Sequence, residues 1–196
     1  MKNIAVFVSG GGTDLQSIID AQISGKLKAK VSLIIASKDG IFAIERAKTN
    51  NIPYKVFKKK DFDSLELMYE KIIEVLSEFK IDFIVLAGYL NILTSNIVKS
   101  FNKRIINIHP ALIPKYSGMG FYGMKVHEAV IQNKDKFSGA TVHYVDEGAD
   151  TGEIIAQKVV EVFDTDTAET LSKRVLEAEH ILLPETLIKL LSEEKK

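Results

Sequence analysis

Asn3-Ile4-Ala5-Val6-Phe7-Val8 runs directly into Ser9-Gly10-Gly11-Gly12-Thr13-Asp14-Leu15, and this junction decides the fold. The first segment, rich in β-branched and aromatic side chains, reads as a buried strand. A glycine cluster ends it, and Leu15, Ile18, Ile19 and Ile23 then recur at spacings of three and four, the apolar face of a helix. Strand, tight glycine turn and helix together form the first half of a βαβ unit.

The same alternation continues outward. Val31 to Ala36 is a second apolar run, Ile41 to Asn50 reads as a helix, and Tyr54 to Phe57 follows the punctuation of Asn51 and Pro53. Asp61 and Ser64 offer caps to a helix carrying Leu65, Met68, Ile72, Ile73, Leu76 and Phe79. Asp82 to Ala87 is almost continuously hydrophobic, as strands buried on both faces of a parallel sheet are. A short helix over Ser95 to Phe101 leads to a strand over Arg104 to Ile108. Gly139 to Val145 and Ile154 to Val162 alternate as strands of an antiparallel edge, joined by Asp146 to Gly152. Thr167 to Leu191 is an amphipathic helix that Pro184 should interrupt. The expected fold is α/β: an open, mostly parallel twisted sheet with helices on both faces, in one Rossmann-like domain over residues 1–191. Residues 192–196 read as a charged tail.

Composition narrows the function classes. The 196 residues carry 26 Lys+Arg against 26 Asp+Glu, so no excess of cations marks a nucleic-acid surface or a polybasic membrane anchor. No cysteine is present, which excludes disulfides, thiolate metal sites and cysteine nucleophiles, and suits a reducing compartment. Ile81 to Leu93, the longest apolar stretch, contains Asp82, Gly88 and Asn91 and falls short of the ~20 residues that span a bilayer. The apolar run that stops at Ser9 is too short for a signal peptide. A cytoplasmic protein with small-molecule substrates is expected, with no nucleic-acid or membrane partner. The run Lys58-Lys59-Lys60 reads as a solvated turn.

Three constellations can carry chemistry. At a strand-to-helix turn, the Ser9 to Asp14 loop exposes backbone N–H groups where the helix dipole favours an anion. It lacks the Gly-Lys-Ser/Thr of a Walker A loop, and Leu15 stands where a dinucleotide fingerprint has its third glycine, so a terminal monophosphate fits better than a pyrophosphate. Asp14 beside a phosphate is repelled unless it turns to cap the helix. In Asn107-Ile108-His109-Pro110, the amide and the imidazole share one strand face, and Pro110 keeps His109 extended. An imidazole there can move protons and an amide can donate to a developing oxyanion. Asp146-Glu147-Gly148-Ala149-Asp150-Thr151-Gly152 leaves three roles open: metal binding, turn capping, or pairing with His109. Metal binding is the weakest, because none of His109, His127, His143 and His180 has a helical two-ligand spacing to another. His127 and His143 read as structural histidines. The proline- and glycine-rich stretch Pro110 to Gly123 reads as an active-site wall.

Ser9 to Leu15, Val85-Leu86-Ala87-Gly88-Tyr89-Leu90, Asn107 to Pro114, Gly139 to Val145 and Asp150-Thr151-Gly152 together resemble the folate-dependent formyltransferases, in particular the phosphoribosylglycinamide formyltransferase family. The likeness is collinear from Lys2 to about Leu191. It implies transfer of a formyl group from 10-formyltetrahydrofolate, as co-substrate, to the glycyl amine of glycinamide ribonucleotide in purine synthesis, without a metal, by a monomer or weak homodimer. The resemblance carries roles onto individual residues. Gly12, Thr13 and Asp14 would hold the substrate phosphate and Glu179 the ribose hydroxyls. Leu90, Asn91, Ile92 and Leu93, with Asn107 and the loop that begins Val145-Asp146, would enclose the pteridine. Asn107, His109 and Asp150 would be catalytic, with Asp150 raising the pKa of the imidazole.

Several positions depart from the family pattern: Asn91 and Leu65 where basic residues are common, Asp14 for the usual Asn, Glu153 for a frequent proline, and a long Ser117 to Gly123 loop. Three other functions remain compatible with the residues: a formyltransferase for an amino sugar nucleotide, a nicotinamide reductase using Asp39 on a ribose diol, and a phospho-metabolite sensor without turnover.

Overall fold

The structure, a computed structural model, describes residues 1–193. In chain order the elements are β1 (Lys2–Val8), α1 (Thr13–Ile23), β2 (Ala29–Ala36), α2 (Phe42–Thr49), β3 (Tyr54–Val56), a single 3-10 turn (Lys59–Asp61), α3 (Leu65–Glu78), β4 (Phe83–Leu86), α4 (Ser95–Ser100), β5 (Ile105–His109), α5 (Met124–Gln132), β6 (Phe137–Tyr144), β7 (Ile154–Glu161) and α6 (Ala168–Glu193). The seven strands make one sheet in the order β3-β2-β1-β4-β5-β6-β7. β1 to β5 run parallel, whereas β6 pairs antiparallel with both β5 and β7. Among the described residues, no helix is long and apolar enough to cross a membrane.

Strand alternation divides the core into two halves. Ile4, Val6 and Val8 point to the face covered by α1, α2 and α6, where Leu15, Ile18, Val175 and Leu187 are among the buried residues. Ala5 and Phe7 point to the opposite face, against Met68, Tyr69, Ile72 and Leu76 of α3. Ser64 caps α3 by accepting a hydrogen bond from the Leu67 N–H at 3.2 Å, as its residue type suggests. β1 lies between β2 and β4, so the chain crosses to opposite sides of β1 and leaves a crevice at the C-terminal ends of β1 and β4.

Gly12 holds the opening turn of α1. Its φ of 70° is left-handed, and a Cβ there would lie 2.7 Å from the Ala43 Cβ. Gly12→Ala therefore costs about 2 kcal/mol, from backbone strain plus overlap. Thermal unfolding should record a drop of roughly 4–8 °C; an unchanged melting temperature would contradict this role for the glycine.

Pro184 does not interrupt the last helix: α6 continues from Ala168 through Glu193. The ring removes one N–H from the helical ladder, while burial of Leu182, Leu183 and Leu187 holds the flanking turns on the sheet. The helix includes residues 192 and 193, and residues 194–196 of the expected tail lie outside the described residues. Lys58, in the lysine run, contacts Asp39 and Asp61 at 2.9 and 3.4 Å.

Candidate active site

The C-terminal ends of β4 and β5, the 110–123 loop, the 145–153 loop and α6 enclose a cavity of about 810 Å³. Asp14, Leu90, Asn91, Ile92, Leu93, Asn107, His109, Val145, Asp146, Asp150 and Glu179, each a candidate from the sequence, line it. Thr13 instead lines an adjoining pocket of about 360 Å³ with Arg46 and His180, and Gly12 lines neither.

Antiparallel pairing of β5 with β6 sets the reacting end. His109 is the last residue of β5 and is buried, with Nε2 2.7 Å from the Tyr116 carbonyl oxygen. A carbonyl only accepts, so Nε2 carries the proton and the neutral ring keeps its lone pair on Nδ1. That atom lies 3.6 Å from Asp150 Oδ2. Protonating Nδ1 converts two facing acceptors into an ion pair. Asn107 Nδ2 lies 3.2 Å from His143 Nε2 and 3.4 Å from Asp150 Oδ1. His143 Nδ1 faces the Tyr144 carbonyl at 2.8 Å and so carries a proton, while Nε2 lies between Asn107 Nδ2 and Asp150 Oδ1, the latter 3.5 Å away.

Burial dominates the electrostatics of His109. Desolvation holds the imidazole below its ordinary value; the Asp150 charge and the Tyr116 carbonyl pull upward without reversing the sign. The expectation that Asp150 lifts His109 above its ordinary value is thus corrected: the carboxylate acts in the expected direction, but dehydration outweighs it. For Asp150, burial raises the pKa, yet the contact with His143, the charge of His109 and the Gly118 N–H at 3.0 Å together hold it below the usual carboxylate range. Its carboxylate stays ionised at neutral pH. Asp150 adopts φ 57°, a left-handed conformation that aspartate tolerates better than most residues. Nearby, a Cβ on Gly152 would lie 1.8 Å from the Tyr144 carbonyl oxygen, so only glycine lets this loop return to β6.

The 110–123 loop is a cavity wall, as expected, and is pinned at two points. Thr141 Oγ1 donates to the Ala111 carbonyl at 2.6 Å and accepts from the Ile113 N–H at 3.2 Å. The Tyr116 hydroxyl donates to Asp135 Oδ2 at 2.8 Å, fixing the residue whose carbonyl meets His109. Asp146 Oδ1 accepts from the Gly148 N–H and Thr151 Oγ1, so this carboxylate organises its own loop.

At the other end, the glycine loop is open: a Cβ on Gly10 or Gly11 would meet nothing within 4 Å. Arg46 Nε donates to the Gly11 carbonyl at 2.9 Å, setting a guanidinium beside the loop. Asp14 does not cap α1, whose N-terminus has no side-chain cap hydrogen bond. Its carboxyl turns to the cavity, Oδ1 is buried without a donor among the described residues, and burial raises it to about 6. Glu179 is 7% exposed, and burial and then the Asp14 charge push its carboxyl well above the usual range.

Sequence reasoning misses the parts played by His143, Arg46 and the Tyr116 carbonyl. Thr141 and His143 alternate on one face of β6, which is the available signal for His143; its pairing opposite Asn107 is not legible. His127, a structural histidine by sequence, lines the same cavity. Its Nδ1 has no hydrogen-bond partner among the described residues, and its pKa is lowered to about 4 by burial and then by His109. The folded-state value thus lies below the unfolded one, so stability present above pH 6.5 is lost as pH falls towards 4, by at most about 3 kcal/mol. Denaturant unfolding of His127→Gln should show a flatter stability profile across that interval; identical profiles would contradict the burial effect. Asp39, the residue behind the nicotinamide alternative, lies outside the main cavity and pairs with Lys58.

Similarity to known proteins agrees with this geometry. The formyl transferase profile matches residues 2–187. The chain is 43% identical to a chloroplastic phosphoribosylglycinamide formyltransferase of Vigna unguiculata, over 99% of this chain and 62% of that one. It thus spans less than two thirds of the length of this plant relative. It is 41% identical to the phosphoribosylglycinamide formyltransferase of Haemophilus influenzae, over 94% of this chain and 84% of that protein. The crystal structure of phosphoribosylglycinamide formyltransferase from Bacillus halodurans superposes with a TM-score of 0.93 at 40% identity, covering 99% of this chain and 97% of that one. With a family match across nearly the whole described domain, on this sheet order and around this cavity, the chain belongs to the formyl transferase family.

Proposed function

We propose that this chain transfers the formyl group of 10-formyltetrahydrofolate to the glycyl amine of glycinamide ribonucleotide, the third step of de novo purine synthesis, as a cytoplasmic monomer or weak homodimer. The reading rests on one cavity with three chemically distinct parts. Asn107, His109 and Asp150 meet at its centre, the 90–93 segment and Val145 give it an apolar side, and buried Glu179 lies near Asp14 and the glycine loop. A flat pteridine suits the apolar side, a vicinal diol suits Glu179, and a phosphate suits the open backbone N–H groups beside Gly12.

In the reaction, the neutral amine attacks the formyl carbon and the carbonyl electrons move to oxygen. The tetrahedral species collapses with cleavage of the carbon–N10 bond. The amine nitrogen loses one proton and N10 gains one, so the transfer balances without a covalent enzyme intermediate. Asn107 exchanges its long 3.4 Å contact with Asp150 for the developing oxyanion. His109 is neutral before reaction, so Nδ1 can take the amine proton, and the adjacent Asp150 stabilises the imidazolium until the proton passes on.

In ligand-free protein the His109 ring should titrate below about 6.5 by histidine NMR, and Asp150→Asn should lower it further, because the upward pull of the carboxylate is gone. A shift upward in the variant would contradict the proposed pairing. The function itself is tested by supplying 10-formyltetrahydrofolate with either glycinamide ribonucleotide or an amino sugar nucleotide. Formylation of the first alone is expected; the reverse preference rejects the assignment.

A further inference from the structure

Two buried carboxyls share the acceptor end of the cavity, and no hydrogen bond from another described residue satisfies Asp14 Oδ1. Glu179 is buried by the same geometry that brings it against Asp14, and each carboxyl disfavours the charge of the other. The surrounding charges do not neutralise them. On α6, His180 Nε2 stands 3.9 Å from Asp14 Oδ1 with no hydrogen bond of its own among the described residues, and burial together with Arg46 keeps its ring below the ordinary imidazole value. Lys173 lines the cavity on the same helix and is exposed, and Glu177 adds a negative charge on the outer face. On α1, Asp20 lies in the adjoining pocket. On α2, Arg46 is engaged by the Gly11 carbonyl and Gln16. A phosphate seated on the glycine loop would therefore bring up to two more negative charges towards carboxyls that are already poorly solvated.

We propose that Asp14 and Glu179 act as one proton-holding pair, and that seating a phosphorylated ribose on the 9–13 loop draws a proton onto Asp14, so that the acceptor binds with proton uptake. The inference rests on the ribonucleotide reading above. It follows from two facts: an ionised carboxylate offers only acceptors, whereas a protonated one offers a donor as well, and a like charge arriving nearby favours the protonated form. The pair thus makes affinity for the phosphorylated substrate pH-dependent, tightening as the solution becomes more acidic through neutrality.

Calorimetric titration of glycinamide ribonucleotide at about pH 7.5, in two buffers of different ionisation enthalpy, counts the protons taken up. Wild type should take up roughly half to one proton more per acceptor than Asp14→Asn, whose side chain is isosteric and cannot titrate. At about pH 8 the variant should bind roughly 20- to 100-fold more tightly, since that uptake requires binding to carry the Asp14 titration from about 6 past the working pH. Equal uptake by both proteins overturns the proton link and leaves the ribonucleotide reading intact, whereas absence of ribonucleotide binding by wild type overturns both. Thermal melts test the carboxyl pair without any ligand. Since the folded-state pKa of Asp14 is raised, its stabilising contribution is present below about pH 4 and lost as pH rises through about 6. Asp14→Asn should therefore melt above wild type at about pH 8 and level with it near pH 4; a constant difference at both pH values overturns the pair. Asp14→Ser carries the same expectations should the asparagine variant fold poorly.

Discussion

His109→Ala is expected to lower the turnover of formyl transfer by about 100- to 1000-fold while the ribonucleotide still binds. The size follows from two losses at one position. The variant removes the Nδ1 that faces Asp150 Oδ2 at 3.6 Å, and with it the group proposed to take the amine proton. It also leaves Asp150 ionised beside the reacting carbon without its imidazolium counter-charge, a penalty that grows in a buried site. Acceptor binding should survive, because the glycine loop, Arg46 and Glu179 belong to other elements of the fold. Steady-state rates at saturating substrates, with separately measured acceptor affinity, check this. A loss of less than about fivefold in turnover would mean that the proton moves by another route.

Asp150→Asn is expected to reduce turnover by about 100-fold, by a different mechanism. The amide keeps the shape of the loop, yet it no longer supplies the negative charge that favours imidazolium. Its oxygen and nitrogen must also divide the contacts now made by one carboxylate with the Gly118 N–H, Asn107, His109 and His143. Lowering the pH should not restore turnover, since His109 must be neutral at Nδ1 to take the amine proton. An Asp150→Asn enzyme with wild-type turnover between about pH 6 and 8 would contradict the charge argument.

The sheet is legible in the sequence because parallel strands buried on both faces leave nearly continuous apolar runs, and Val31 to Ala36 and Phe83 to Leu86 are such runs. Asn107 and His109 are legible for a related reason: alternation puts them on one face, and the strand ends at Pro110. What local pattern does not encode is which strand lies alongside. His143 enters the site because β6 pairs back on β5, in register with Asn107, and nothing within Gly139 to Val145 announces that partner. The sign of the His109 shift is hidden for another reason, since sequence shows Asp150 as a charge but not the dehydration around the ring. Residue type offers Asp14 as a cap or a repelled neighbour, whereas its inward turn against Glu179 depends on how α6 packs on α1. Pro184 ends helices in isolation, but the buried leucines around it outweigh the lost hydrogen bond.

For the reaction to proceed in this cavity, one formyl carbon must sit among Asn107, His109 and Asp150 while an amine approaches from the side of Glu179. A crystal structure with glycinamide ribonucleotide and a non-reactive 10-formylfolate analogue measures that arrangement directly. The amine nitrogen is expected about 3–3.5 Å from the formyl carbon, with the formyl oxygen within hydrogen-bond reach of Asn107 Nδ2. Both ligands bound with the formyl oxygen turned away from these three side chains, and the amine nowhere near its carbon, would contradict it.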